Sequence, residues 1–139
     1  MIILDTNVIS EVIKPAPAAR VVRWVEKYPV SRLFTTTITQ AEILYGVELL
    51  EKGKRRAALE AAVERMFREV LVGRVLPFDS EAAQAFPRIA LARRAAGRPV
   101  TQFDTQIAAI AHAVGAAVAT RNTVDFDRCG ITVLNPWGE

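Results

Sequence analysis

Short apolar runs alternate with longer stretches of helical periodicity along this chain, and that alternation limits its fold more than any other feature. Ile2 to Leu4 is a brief apolar run suited to a buried strand. Asn7 to Ile13 reads as a helix stopped by Pro15 and Pro17. From Ala18 to Lys27, Val21, Val22, Trp24 and Val25 recur against Arg20, Arg23 and Lys27, the pattern of an amphipathic helix. Leu33 to Thr36 is rich in strand formers. Thr39 to Leu50 predicts a helix with Gly53 as its stop. Lys54 to Val72 predicts a longer one, striped by Leu59, Val63, Met66, Phe67, Val70 and Leu71. Val75 to Phe78 follows as a strand, Ser80 to Ala96 as a helix and Phe103 to Val114 as a helix of small residues. Ala116 to Ala119 and Ile131 to Leu134 complete the strands. Pro87 is expected to kink or divide the helix around it, because it lacks an N–H and crowds the preceding turn. Strands alternating with helices predict an α/β fold with a mostly parallel sheet. Ligands of such sheets sit beyond the carboxyl ends of the strands.

The chain has 139 residues, 51% of them hydrophobic and 24% charged, enough apolar material for one domain over 1–139 with a real core. No apolar stretch reaches the roughly 18 residues of a membrane span. The opening Met1-Ile2-Ile3-Leu4-Asp5 lacks the basic start of a secretion signal, so a cytoplasmic protein is expected. Cys129 is the only cysteine, which excludes an internal disulfide and a cysteine-built zinc site. The net charge of +3 is compatible with a polyanionic partner but does not require one.

Four acids fall where such a sheet would gather them. Asp5 directly follows the first strand, and Glu42 lies early in the helix from Thr39. Asp104 opens the small-residue helix, and Asp125 follows the strand Ala116 to Ala119 and its polar turn. Each also has an ordinary structural explanation. Thr39-Gln40-Ala41-Glu42 fits a capping box, and acids in first helical turns suit the helix dipole by about 0.3–1 kcal/mol each. Capping does not explain convergence, however. Two carboxylates about 4 Å apart repel by roughly 4 kcal/mol at an effective dielectric near 20. A group of them needs shared protons or a cation. A hard divalent ion such as Mg²⁺ or Mn²⁺ suits oxygen donors, and such a site suits phosphoryl chemistry.

Other catalytic kits are poorly supplied. His112, the only histidine, lies in a helix of Ala and Ile and reads as a packing or surface residue. Cys129 has no evident histidine partner. No glycine-rich phosphate loop appears, and Ser10 and Ser31 lack a triad context.

The same residues carry a family resemblance. Ile3-Leu4-Asp5-Thr6-Asn7-Val8 is similar to the opening of PIN-domain ribonucleases, especially the VapC-type toxins of bacterial toxin–antitoxin pairs. Thr39-Gln40-Ala41-Glu42-Ile43 with Gly46 resembles their second motif, Phe103-Asp104-Thr105-Gln106-Ile107-Ala108-Ala109 the third, and Thr120-Arg121-Asn122 with Asp125-Phe126 the fourth. The motifs span residues 3 to 126 in family order, and Asn135-Pro136-Trp137 resembles the FitB-like branch.

The resemblance implies a PIN fold, a central parallel sheet flanked by helices, and Mg²⁺- or Mn²⁺-dependent endonuclease action on RNA. Asp5, Glu42 and Asp104 carry over as the core carboxylates. The fourth corner falls to Asp125 or, through a water, to Asn122, whose other reading is a cap. Thr6 and Asn7 match the first motif as supports of Asp5, with helix capping as the other reading of Thr6. Arg121 is a candidate contact to substrate phosphate or simply a solvated turn residue. The implied reaction is in-line attack of an activated water on a phosphodiester, leaving a 5′-phosphate and a 3′-hydroxyl. The implied partners are an RNA substrate, a cognate antitoxin through which alone DNA is reached, and a second copy in a homodimer, with no membrane. The helices from Thr39 to Val72 offer apolar residues for a partner's amphipathic segment, or for the core. Lys52, Lys54, Arg55 and Arg56 form the densest basic run, read as a solvated loop or a partner-facing patch.

Two other functions fit part of the pattern. An aspartyl-phosphate phosphatase also places an Asp after its first strand, but needs a second acid two residues on, where this chain has Asn7. A PIN module without catalysis, acting as a binding or repressor partner, would keep the acids for capping alone.

Overall fold

The computed structural model describes residues 1–98 and 101–138. Its strands are β1 (Ile2–Leu4), β2 (Leu33–Thr36), β3 (Val75–Leu76), β4 (Ala117–Ala119) and β5 (Val133–Leu134). They form one five-stranded sheet in the order β3-β2-β1-β4-β5, and every pairing is parallel. The helices are α1 (Thr6–Val12), α2 (Ala19–Glu26), α3 (Thr37–Glu48), α4 (Lys54–Arg65), α5 (Ser80–Ala95) and α6 (Gln102–Val114). The expected α/β alternation is therefore present, with most element ends within two residues of those read from the sequence.

Strand side chains alternate between two helical layers, as the period of two requires. Ile3 and Val118 face a core built with Ile89 of α5 and with Ile107 and Ile110 of α6. Ile2, Leu4 and Ala119 face the opposite core with Val8, Val21, Ile43 and Val63 of α1 to α4. Helix α6 is buried nearly all round, from Ile107 to Ala111, so its small side chains let it sit close against β1, β4 and α5. It ends at Gly115, whose left-handed φ of 69° lets the chain turn back into β4.

Several boundaries differ from the sequence reading, each for a physical reason. Helix α3 begins at Thr37 rather than Thr39, because β2 runs straight into it and Thr36 is the cap, its hydroxyl accepting from the Thr39 N–H at 3.0 Å. The helix expected from Lys54 to Val72 is α-helical only to Arg65 and widens into a π-turn over Met66–Val70. The Leu71 N–H there reaches the Met66 carbonyl at 2.9 Å. The extra residue turns Leu71 inward, where it is buried with Met66, Phe67 and Val70 packed around it. Helix α5 runs through Pro87 without dividing. Pro87 is exposed, and so is Ala83, whose carbonyl loses a partner to the missing N–H, so solvent satisfies that acceptor.

The strand order reverses direction between β1 and β4. Chain growth runs outward from β1 through β2 to β3, then resumes on the other side with β4 and β5. That reversal opens a crevice beyond the carboxyl ends of β1 and β4. The packing predicts a sharp contrast in stability. Ile3→Ala, at a position with no solvent exposure, is expected to cost about 2–5 kcal/mol in chemical denaturation. Leu91→Ala, on the outer face of α5, is expected to change stability by less than about 0.5 kcal/mol.

Candidate active site

Register decides what meets in the crevice. Leu4 pairs with Ala119, so the residues that follow, Asp5 and Thr120, emerge side by side. Both are buried, Asp5 at 3% exposure and Thr120 at 0%. The Thr120 hydroxyl donates to Asp5 Oδ2 at 2.8 Å. Asp5 Oδ1 accepts from the Thr6 N–H at 2.8 Å, which makes Asp5 the N-cap of α1. The Asn7 amide donates to Asp5 Oδ2 at 3.3 Å and to the Thr120 hydroxyl at 3.1 Å. Its Oδ1 accepts from the Arg121 N–H at 3.1 Å. Asn7 thus ties the start of α1 to the loop after β4.

Glu42 does not cap its helix. It is in the second turn of α3, and its Oε1 accepts from the Thr6 hydroxyl at 2.7 Å. The Thr6 hydroxyl also lies 3.1 Å from that of Thr39, which is fully buried. Thr6 is consequently a bridge from β1 and α1 to α3 and not a cap. Asp104 occupies the first turn of α6, where its N–H donates to the Thr101 hydroxyl at 3.2 Å. Asp125 lies in a 3₁₀ turn, Thr123–Phe126, pinned by the buried Phe126. The carbonyl of Asp127, just beyond, accepts from the buried Arg93 of α5. Asn122 is exposed and its side chain makes no capping bond; its N–H donates to the Thr120 hydroxyl at 3.1 Å. The Arg121 guanidinium lies over the Trp137 ring, 5.1 Å from its centroid.

Electrostatics links these acids. Burial pushes the Asp5 carboxyl up to about 6. The hydrogen bonds from Thr120 and Thr6 pull against that rise, and the charges of Asp104 and Glu42 add to it. Asp104 is also raised, by burial first and then by Asp125, against the Thr101 hydrogen bond. Asp5 therefore feels Glu42 and Asp104, and Asp104 feels Asp125.

The expectation of a tight four-carboxylate cluster needs correction on one point. Among the described residues, no three acidic, histidine or cysteine side chains are gathered closely enough to ligate one ion together. The donor set still suits a hard divalent cation, since every candidate is a carboxylate with no thiolate or imidazole. Mg²⁺ in particular keeps several waters and is held through one or two carboxylates, so a closed protein cage is not required. Burial and neighbouring carboxylates hold both Asp5 and Asp104 above the usual carboxylate range, and a cation beside them would favour their charged forms.

The sequence motifs include Thr120 and Thr39 but assign neither a part in the site. Thr120 stands there only as the first residue of a polar turn and of the fourth motif. The usable signal was its place immediately after the strand that pairs with β1. His112 is exposed near the opposite end of α6 from Asp104, and Cys129 is buried with its thiol pushed up by desolvation. Neither joins the crevice.

A raised carboxyl in the folded chain has a definite consequence for stability. Between about pH 4 and 6 the folded state keeps a proton on Asp5 that the unfolded chain has lost. Stability must then fall as pH rises through that window. In chelator, the Asp5 contribution is expected to approach about 3 kcal/mol by pH 7, and Asp5→Asn is expected to flatten the slope in urea denaturation. An unchanged slope in the variant would contradict the burial argument.

Known proteins resemble this chain from end to end. The sequence profile of the PIN domain matches residues 2–131. The plasmid stability protein StbB of Pseudomonas syringae pv. tomato is 42% identical over 137 residues, covering 99% of each chain. The VapC ribonuclease Y4jK of Sinorhizobium fredii is 38% identical over 137 residues, covering 99% of this chain and 98% of the relative. The toxin FitB of Neisseria gonorrhoeae is 38% identical over 137 residues, with 99% of each covered. A solved structure of FitAB bound to a DNA fragment superposes with a TM-score of 0.92 at 37% identity, over 100% of this chain and 97% of the other. A profile match over nearly the whole sequence, and relatives this similar from end to end, mean that the chain belongs to the PIN-domain family, among its VapC- and FitB-type toxins.

Proposed function

We propose that the chain, read as one nuclease domain over 1–139, is an endoribonuclease and the toxin of a type II toxin–antitoxin pair, working with Mg²⁺ or Mn²⁺. The observation that carries this reading is the buried carboxylate Asp5 at the β1–β4 switch point, with Glu42 and Asp104 acting electrostatically on it. The ribonuclease names among close full-length relatives support the substrate class.

Asp5 and Asp104 are the principal candidates to hold the cation, with Glu42 and Asp125 completing the pocket. The ion would activate water and offset charge on the phosphate. The chain's own residues prepare that task. Thr120, Asn7 and the Thr6 N–H fix the Asp5 carboxylate in one orientation. Thr6 orients Glu42, which is then poised to accept a proton from water. Asp125, which acts on Asp104 electrostatically, is the better candidate for the fourth corner than the exposed Asn122. The phosphatase alternative is disfavoured by Asn7, whose amide is committed to Asp5 and Thr120 where a second acid would have to act.

The partners follow from surface and kinship. A groove of about 580 Å³ runs between α1, α3 and α4, lined by Ile13, Val47, Leu50 and Leu59 and reaching Thr6 and Glu42. It suits an amphipathic antitoxin segment that ends at the carboxylates. DNA would be met only through that antitoxin. A second groove of about 560 Å³ between α3 and α4, with Leu44, Tyr45 and Phe67, is an apolar surface available to a homodimer. No helix of the described residues is long and apolar enough to cross a membrane.

Purified protein freed of antitoxin is expected to cleave structured RNA with Mg²⁺ or Mn²⁺. Chelator or Asp104→Asn is expected to reduce cleavage to background. Cleavage persisting in either arm at equal purity would overturn the metal–carboxylate reading, and no cleavage of transfer, ribosomal or messenger RNA would favour a binding module. Thr120→Val is expected to lower activity about 10–100-fold while the fold is kept, and Thr120→Ser to restore it, because Thr120 bonds Asp5 through its hydroxyl and not its methyl. Equal activity of all three proteins would remove Thr120 from the site.

A further inference from the structure

Helix α2 and its C-cap residue Lys27 carry Arg20, Arg23, Trp24 and Lys27 at the spacing i, i+3, i+4, i+7, which places them on one face. They line a groove of about 600 Å³ against the C-terminal segment from Val133 to Gly138. Arg20 donates to the Trp137 carbonyl at 2.7 Å, and the Arg121 guanidinium covers the Trp137 ring. Trp24 packs on Tyr28 with ring centroids 5.0 Å apart, and Arg32 lies over the Tyr28 ring at 5.5 Å. Cations and aromatic rings thus alternate from the active-site loop to the far end of α2. The near end is anchored to the site, because the Arg121 N–H bonds Asn7, which bonds Asp5.

The charge on this face is not consumed by ion pairs. The ion pairs of the described residues lie on Lys14, Arg56, Arg68 and Arg98, and none involves Arg23 or Lys27. The single acid of α2, Glu26, falls outside the arc of the basic residues. No large apolar residue of α2 is exposed, so the face lacks the greasy surface that a membrane-lying helix presents. Alternating cations and stacking rings are the chemistry that holds single-stranded nucleic acid without reading its sequence.

We propose that this face is a track for one single-stranded flank of the RNA substrate, running from the carboxylates past Arg121 and Trp137 into the α2 groove. It rests on the ribonuclease reading and adds a binding site outside the carboxylates. Arg23 and Lys27 meet backbone phosphates, and the half-buried Trp24, which lines the groove, offers its exposed part to a base. The track sets affinity for long RNA and leaves the chemical step alone.

The test compares wild type with Arg23→Gln/Lys27→Gln, and with Arg88→Gln/Arg94→Gln on α5 as an equal charge change on the other face of the sheet. Steady-state cleavage is measured on an RNA with long single-stranded flanks and on a short one ending near the cut. Fluorescence anisotropy in chelator measures binding of the long RNA. For the α2 pair, KM and Kd for the long RNA should rise about tenfold with kcat unchanged. The slope of log Kd against log salt should be shallower by about 1.4, from two lost single-strand phosphate contacts at about 0.7 each. The short RNA and the α5 pair should behave like wild type. Unchanged long-RNA binding, or an equal loss in the α5 pair, would overturn the track. Wild type that binds through α2 yet cleaves nothing would overturn the ribonuclease reading and leave the track standing.

Discussion

The pairing of Leu4 with Ala119 brings Asp5 and Thr120 together at the one edge of the sheet where the strand order reverses. Everything in the crevice is arranged around the cost of burying that carboxylate. Desolvation is the largest influence on Asp5, and the two hydrogen bonds that oppose it come from the residues that follow β1 and β4. A parallel sheet with both faces covered makes the burial unavoidable, since Ile2 to Leu4 must be apolar on both sides. The acid that terminates such a strand is therefore desolvated by the same packing that stabilises the fold.

Threonines do the joining. Thr120 ties β4 to β1, Thr6 ties α1 to α3, and Thr36 caps α3 while Thr39 touches Thr6. A hydroxyl donates and accepts at once, so one small side chain satisfies two buried partners. This explains how Thr35, Thr36, Thr39 and Thr120 are tolerated in the interior with essentially no exposure. Thr35 is satisfied by a single bond, its hydroxyl donating to the Leu4 carbonyl at 2.8 Å.

The elements were largely legible because apolar periodicity reports which face is buried, and burial is what shapes strands and helices here. The π-turn at Met66–Val70 was not, since a stripe of Met66, Phe67, Val70 and Leu71 looks the same whether the last turn is α or π. The four acids were legible by type and by position after strands or in helices. Their division of labour was not. Glu42 looked like a capping partner of Thr39 because the two are three residues apart, yet the true cap is Thr36, and this depends on where β2 ends. Thr120 was legible as part of the fourth motif but its bond to Asp5 was not, because that bond exists only across the β1–β4 pairing, which local spacing does not encode. Arg93 was hidden likewise, as a buried cation that serves the carbonyl of Asp127.

Capping and the proposed cation binding are compatible roles for one Asp5 side chain. A carboxylate offers about four lone-pair positions on two oxygens. Oδ1 spends one on the Thr6 N–H, which starts α1, and Oδ2 accepts from Thr120 and Asn7. Three positions are taken by groups that fix the side chain, which leaves about one for a cation. In the proposed cation site, Asp5 would be held in one orientation by these three bonds, and Mg²⁺ tolerates a site of only one or two carboxylates. The structural bonds then set the geometry of the functional one. Asp is the residue type that can cap α1 and still carry a charge, since Glu is too long to cap and Asn caps without the charge.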